Sequence, residues 1–153
     1  MSQDNLATEI LDFAIGNEEA AVELYRRLAA KTDSPSMREV FEGFAREEEG
    51  HKAKLLGVKQ AGTLTLGSAG KKIVDLKIGD YLVDAEPGAD LTYQDALILA
   101  MKQEKAAFKL YTDLAEAAPD AELRDLLLRL AEEEAKHKLR FEIEYDDHIL
   151  TEN

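Results

Sequence analysis

Residues 44–55, Phe44-Ala45-Arg46-Glu47-Glu48-Glu49-Gly50-His51-Lys52-Ala53-Lys54-Leu55, set Phe44, Glu48, His51 and Leu55 apart by steps of four, three and four. That spacing marks one face of an α-helix, so a carboxylate and an imidazole occupy two places that the stripe otherwise gives to apolar side chains. The same Glu-x-x-His pattern returns 86 residues later as Glu134-Ala135-Lys136-His137. In a chain that is 33% charged, a single match of this kind arises easily by accident. Two matches inside a longer repeat carry more weight, and the repeat extends in both directions.

Toward the N-terminus, Leu11, Ala14, Glu18, Ala21, Tyr25 and Leu28 form the stripe of a helix from about Asn5 to Lys31. The offset of 86 turns these into Leu97, Ala100, Glu104, Ala107, Tyr111 and Leu114, the same residue type at every place. Thr32 to Ser36 supply stop and start signals, with Ser34 able to cap a helix whose first turn holds Pro35. The second stripe, Met37, Phe41, Phe44, Glu48, His51 and Leu55, ends near Gly57. Its offset copy is Leu123, Leu127, Leu130, Glu134, His137 and Phe141. Thr92 caps the third helix, and Pro119-Asp120 makes the second turn.

Short turns of this kind predict antiparallel helical hairpins. The chain therefore reads as an internal duplication: hairpin one at about 5–57, hairpin two at about 92–150, in one domain spanning 1–153. Between them, 58–91 loses the pattern and is punctuated by Gly62, Gly67, Gly70, Gly79, Pro87 and Gly88. Only Ile73 to Val83 reads as ordered, as a short helix or an extended strip. A crossover that long can run the length of a four-helix bundle and begin the second hairpin at the far end. The expected fold is all-α.

Composition narrows the partners. With 32 acidic against 19 basic residues and a formal net charge of -13, the chain is unsuited to nucleic acid or to an anionic membrane surface, and cations are the plausible charged partners. No cysteine is present, which excludes disulfides, thiolate zinc sites, iron-sulfur clusters and a cysteine nucleophile. The longest apolar run, Ala96 to Met101, is far below the roughly 20 residues of a membrane helix, and Met1 to Asn5 does not begin a signal peptide. A cytoplasmic protein is expected.

Glu18, Glu48, His51, Glu104, Glu134 and His137 all stand where their stripes call for core residues. Glu18 and Glu48 lie about 15 residues either side of their turn, which at ~1.5 Å per residue puts both roughly 22 Å from it. Glu104 and Glu134 are disposed alike about the second turn, so all four helices bring carboxylates to one level. An unpartnered buried carboxylate costs several kcal/mol, and no Lys or Arg occupies any of the stripes. Two divalent cations would balance four carboxylates, with the imidazoles as neutral ligands. A set of oxygen and nitrogen donors without sulfur favours iron or manganese, and zinc would also bind.

One Glu from each of two helices and Glu-x-x-His from each of the other two is the ligand pattern of ferritin-like di-iron and di-manganese bundles. On these motifs the chain resembles the rubrerythrin branch of the ferritin-like superfamily over nearly its whole length except the crossover. The resemblance implies two iron ions per chain, with Glu48 and Glu134 bridging them. Glu18 and His51 would complete one site, and Glu104 and His137 the other. It also implies a redox protein that reduces hydrogen peroxide or dioxygen. Two departures stand out. Many rubrerythrins carry a further glutamate where this chain has Ala107, so movement of a metal between ligands does not transfer. Many also end in a four-cysteine rubredoxin domain, so here the electrons are expected from a separate donor protein.

Two other readings remain open: iron oxidation for storage, and a non-catalytic bundle whose metal is structural. A homo-oligomer, a dimer in the simplest case, is expected. Tyr25 and Tyr111, two turns beyond Glu18 and Glu104, suit either hydrogen bonds to the ligands or plain core packing. Glu47 and Glu133 fall off the stripe and read as solvated. His148, about 16 Å beyond His137 along a helix, reads as an exposed tail residue.

Overall fold

Long helical stripes need ends as well as apolar faces, because the first and last turns leave backbone groups unpaired. The computed structural model describes residues 3–62, 64 and 91–152. Among these residues the regular elements are four helices, α1 (Gln3–Lys31), α2 (Pro35–Ala61), α3 (Tyr93–Ala117) and α4 (Ala121–Glu152). The Ser34 hydroxyl accepts the Met37 amide at 3.2 Å with Pro35 in the first turn, and the Thr92 hydroxyl accepts the Asp95 amide at 3.0 Å. The Asp120 carboxylate accepts the Glu122 amide at 3.3 Å. These caps satisfy donors that a bare helix end would leave unpaired.

α2 runs past Gly57, the expected end, to Ala61. An interior glycine weakens a helix by roughly 1 kcal/mol but does not stop it. The stop comes at Gly62, whose left-handed backbone (φ 65°, ψ 25°) lets its amide reach the carbonyls of Val58 at 3.1 Å and Lys59 at 3.3 Å. The strip expected over 73–83 lies outside the described residues.

Two apolar clusters set the topology. One gathers Ile10, Leu11 and Ala14 of α1, Leu55 and Val58 of α2, Leu110 and Leu114 of α3, and Leu123, Leu127 and Leu130 of α4. The other gathers Leu24, Tyr25 and Leu28 of α1, Met37 and Phe41 of α2, Ala96 and Leu97 of α3, and Phe141 of α4. Each helix thus passes from one cluster into the other, α1 and α4 in one direction and α2 and α3 in the opposite one. Helix α1 packs against α2 and α3, and α3 against α4. The two turns therefore lie at opposite ends of the bundle, and the chain leaves α2 at one end and enters α3 at the other. Each fully buried Leu, Phe or Tyr in these clusters contributes about 1.5–3 kcal/mol of hydrophobic stabilisation. Between the clusters, Glu18 lies between Ala14 and Ala21, Glu48 between Ala45 and Leu55, Glu104 between Ala100 and Ala107, and Glu134 between Ala131 and Phe141. The gap between two apolar half-cores is a polar layer.

Candidate metal centre

All six of the stripe residues expected to converge do so. Glu18, Glu48, His51, Glu104, Glu134 and His137 are each at most 2% exposed. The His51 Nδ1 lies 3.0 Å from Glu134 Oε1 and 3.7 Å from both Glu18 Oε2 and Glu48 Oε2. The His137 Nδ1 lies 2.8 Å from Glu48 Oε1, 3.8 Å from Glu104 Oε2 and 3.9 Å from Glu134 Oε1. Buried polar atoms normally find hydrogen-bond partners. Here Glu18 Oε2, both Glu48 oxygens, Glu104 Oε2, Glu134 Oε1 and both Nδ1 atoms are buried without one. These orphans face one another. Glu18, Glu48, His51 and Glu134 offer one set of donor atoms within 4.8 Å, and Glu48, Glu104, Glu134 and His137 offer a second. Glu48 and Glu134 belong to both sets, as two neighbouring cations sharing two carboxylates would require. The layer fits a metal site.

The residues around the layer depart in part from expectation. The Tyr111 hydroxyl donates to Glu18 Oε1, whereas the Tyr25 hydroxyl is buried without a partner and its ring stands edge-on to His137, centroids 6.3 Å apart. Phe44 stacks on the His137 ring at 4.1 Å and 26°. Glu47 and Glu133 are not simply solvated: Glu133 binds His51 Nε2 and Glu47 binds His137 Nε2, each reaching from one hairpin to the other. A stripe reports which face of its own helix a residue occupies, and these two lie at the edge of the neighbouring helix. The available signal was the repeat itself, since 47 and 133 are also related by 86. His148 is no exposed tail residue either; it is half-buried in α4, edge-on to Tyr93 at 5.1 Å, and away from the layer.

The rubrerythrin family model matches residues 9–83 and 95–153. The chain belongs to the rubrerythrin family. Among solved structures, this rubrerythrin-family chain is similar to a hypothetical protein from Pyrococcus furiosus at 25% identity and a TM-score of 0.67, over 92% of this chain and 88% of that one. The fold is accordingly the ferritin-like four-helix bundle expected from the duplicated hairpins. Comparison with curated proteins gives no match. Among the described residues, no helix is long and apolar enough to cross a membrane.

In this rubrerythrin-family layer, protons hold the charge balance when no cation does. Burial pushes the Glu134 carboxyl well above the usual range, and the neighbouring carboxylates of Glu104, Glu48 and Glu18 push it the same way. Burial raises Glu18 well above that range too, reinforced by Glu48 and opposed by His51, and it raises Glu104 against the pull of His137. Glu48 resists its own burial. Contacts with Glu18, His137 and His51 hold it well below the usual range. For the imidazoles burial favours the neutral form, but Glu18 and Glu48 raise His51 to about 10, and Glu104 and Glu48 raise His137 to about 11. Positive charge is thus drawn to the places where a cation would supply it.

Proposed function

We propose that this chain is a di-iron carboxylate redox protein that reduces hydrogen peroxide or dioxygen with electrons from a separate donor protein. The observation that carries this reading is the set of buried, partnerless donor atoms on four helices, divisible into two sets that share Glu48 and Glu134. In this reading Glu48 and Glu134 would help hold both irons, Glu18 and His51 would hold one of them, and Glu104 and His137 the other. Two bound ferrous ions would supply the two electrons that, with two protons, reduce hydrogen peroxide to two molecules of water.

The chain's own contribution is charge balance, geometry and dryness. Four carboxylates neutralise two divalent ions, and the apolar clusters above and below the layer keep bulk water away. Tyr111 holds Glu18 by its second oxygen, leaving Oε2 free to face the layer. Glu47 and Glu133 hold the outer nitrogens of the imidazoles, leaving both Nδ1 atoms facing inward.

Anaerobic loading with ferrous iron tests the reading. Two tightly bound irons per chain are expected. Peroxide and dioxygen, added separately, are expected to develop ferric absorption with the iron retained, and added reductant is expected to restore the starting state. Iron that leaves and mineralises after oxidation would instead show a storage ferroxidase. Fewer than one tightly bound iron per chain refutes the dinuclear centre. Glu48→Ala and Glu134→Ala should each abolish it, and unchanged stoichiometry in both variants would refute their bridging role.

A further inference from the structure

Glu47 and Glu133 occupy equivalent positions in the two repeats, and the structure uses them alike. His51 of α2 meets Glu133 of α4, and His137 of α4 meets Glu47 of α2, each through Nε2. Both bonds run between hairpins, although Glu47 is also a helical neighbour of His51, and Glu133 of His137, four residues on. A neutral imidazole has one N–H and one lone pair. A carboxylate at Nε2 accepts the N–H there and turns the Nδ1 lone pair toward the layer, where both Nδ1 atoms are buried without a hydrogen bond. Charge points the same way. Four inner carboxylates balance two divalent ions, whereas two trivalent ions call for six negative charges. Glu47 and Glu133 bring the count to six. Their side chains are 56% and 45% exposed, so they stand at the rim of the layer, where a charge costs less to place than a further fully buried carboxylate would.

Resting on the dinuclear reading above, we propose that Glu47 and Glu133 are positioning residues, each fixing the imidazole of the opposite hairpin with Nδ1 inward and shifting the centre's preference toward trivalent metal. The crossed bonds also make each histidine's orientation depend on both repeats.

The test uses the full chain, with zinc titrated against a competing chelator and the reduction potential measured on the iron-loaded protein. Glu47→Ala and Glu133→Ala remove the acceptor and are expected to weaken zinc binding by roughly 10–100-fold. Glu47→Gln and Glu133→Gln keep an acceptor oxygen but lose the charge. Each should retain zinc binding better than its alanine counterpart and lower the ferric-over-ferrous preference about tenfold, a rise of about 59 mV for a one-electron step. Glu132→Gln removes an equal charge from the adjacent surface and should leave both measurements unmoved. Both glutamates are half-exposed, so unchanged helical circular dichroism is expected in every variant. Wild-type zinc affinity in both alanine variants, or wild-type potential in both glutamine variants, overturns the proposal while leaving the dinuclear reading intact. A wild-type chain that takes up fewer than two zinc ions overturns the dinuclear reading and this proposal with it.

Discussion

Glu134→Gln should make the metal-free protein more stable while spoiling its metal site. The carboxyl is 1% exposed and is pushed well above its ordinary 4.5 by burial and by Glu104, Glu48 and Glu18. Unfolded, the same group is ionised at pH 7. Folding therefore works against that ionisation, at a cost in stability that grows as the pH rises above the ordinary carboxyl range. An amide of nearly the same shape needs no proton and keeps an oxygen near His51 Nδ1, now 3.0 Å from Glu134. The variant should gain about 1–3 kcal/mol, the usual scale for relieving one poorly partnered buried polar group. For a domain of this size that is roughly 3–9 °C in Tm. Calorimetry in the presence of chelator at pH 7 and pH 5 measures it. A group whose folded pKa is raised contributes stability fully below its unfolded pKa and loses it as pH rises. Acidification toward 4.5 should therefore restore the wild type and close the gap. A variant no more stable than the wild type at pH 7, or a gap equal at both pH values, would refute this account of the layer. In the presence of iron the order should reverse, because the variant has lost a carboxylate proposed to bridge.

Tyr111→Phe removes the donor to Glu18 and should destabilise the protein by about 1–2 kcal/mol in urea denaturation, whereas Tyr25→Phe removes a buried hydroxyl that has no partner and should be neutral or stabilising. Equal losses in the two variants would show that the repeats do not differ here. His51 and His137, raised to about 10 and 11, stabilise the metal-free fold fully below their ordinary 6.5 and lose that contribution as pH climbs through those values. The chelated protein should therefore melt progressively earlier between pH 7 and 11, and a flat profile would count against the imidazolium pairing. Binding of a cation should expel the protons held by Glu18, Glu134 and the imidazoles, so zinc added to a weakly buffered solution should acidify it. Zinc uptake without acidification would show that the layer holds no such protons.

The helices and the meeting of six polar residues were legible because both follow from periodicity. A stripe fixes a face, an offset of 86 fixes the partner stripe, and distance from a turn fixes height. The end of α2 was less legible. Gly57 and Gly62 look alike in sequence, and only the backbone distinguishes an interior glycine from one whose φ is 65°. Contacts across the bundle were hidden for a different reason. Whether Glu47 faces water or His137 depends on the rotation of α2 against α4, which neither helix's own pattern records. The difference between Tyr111 and Tyr25 was also beyond reach, because the repeat makes the two positions identical in type while their surroundings are not: Phe44 stacks on His137, and its counterpart at 130 is a leucine.

The two apolar clusters each draw on all four helices, and each set of four donor atoms takes members from both hairpins. Neither repeat, taken alone, owns a half-core or a complete site. A bundle of this plan has the form of a pair of identical hairpins meeting about a two-fold axis through the polar layer, with the partnership written into one chain. Two separate copies would be bound to change together, since every substitution would appear on both sides of the axis. Joined in one chain, the halves are free to diverge, and a phenol can grip a carboxylate on one side while its counterpart is left without a partner on the other.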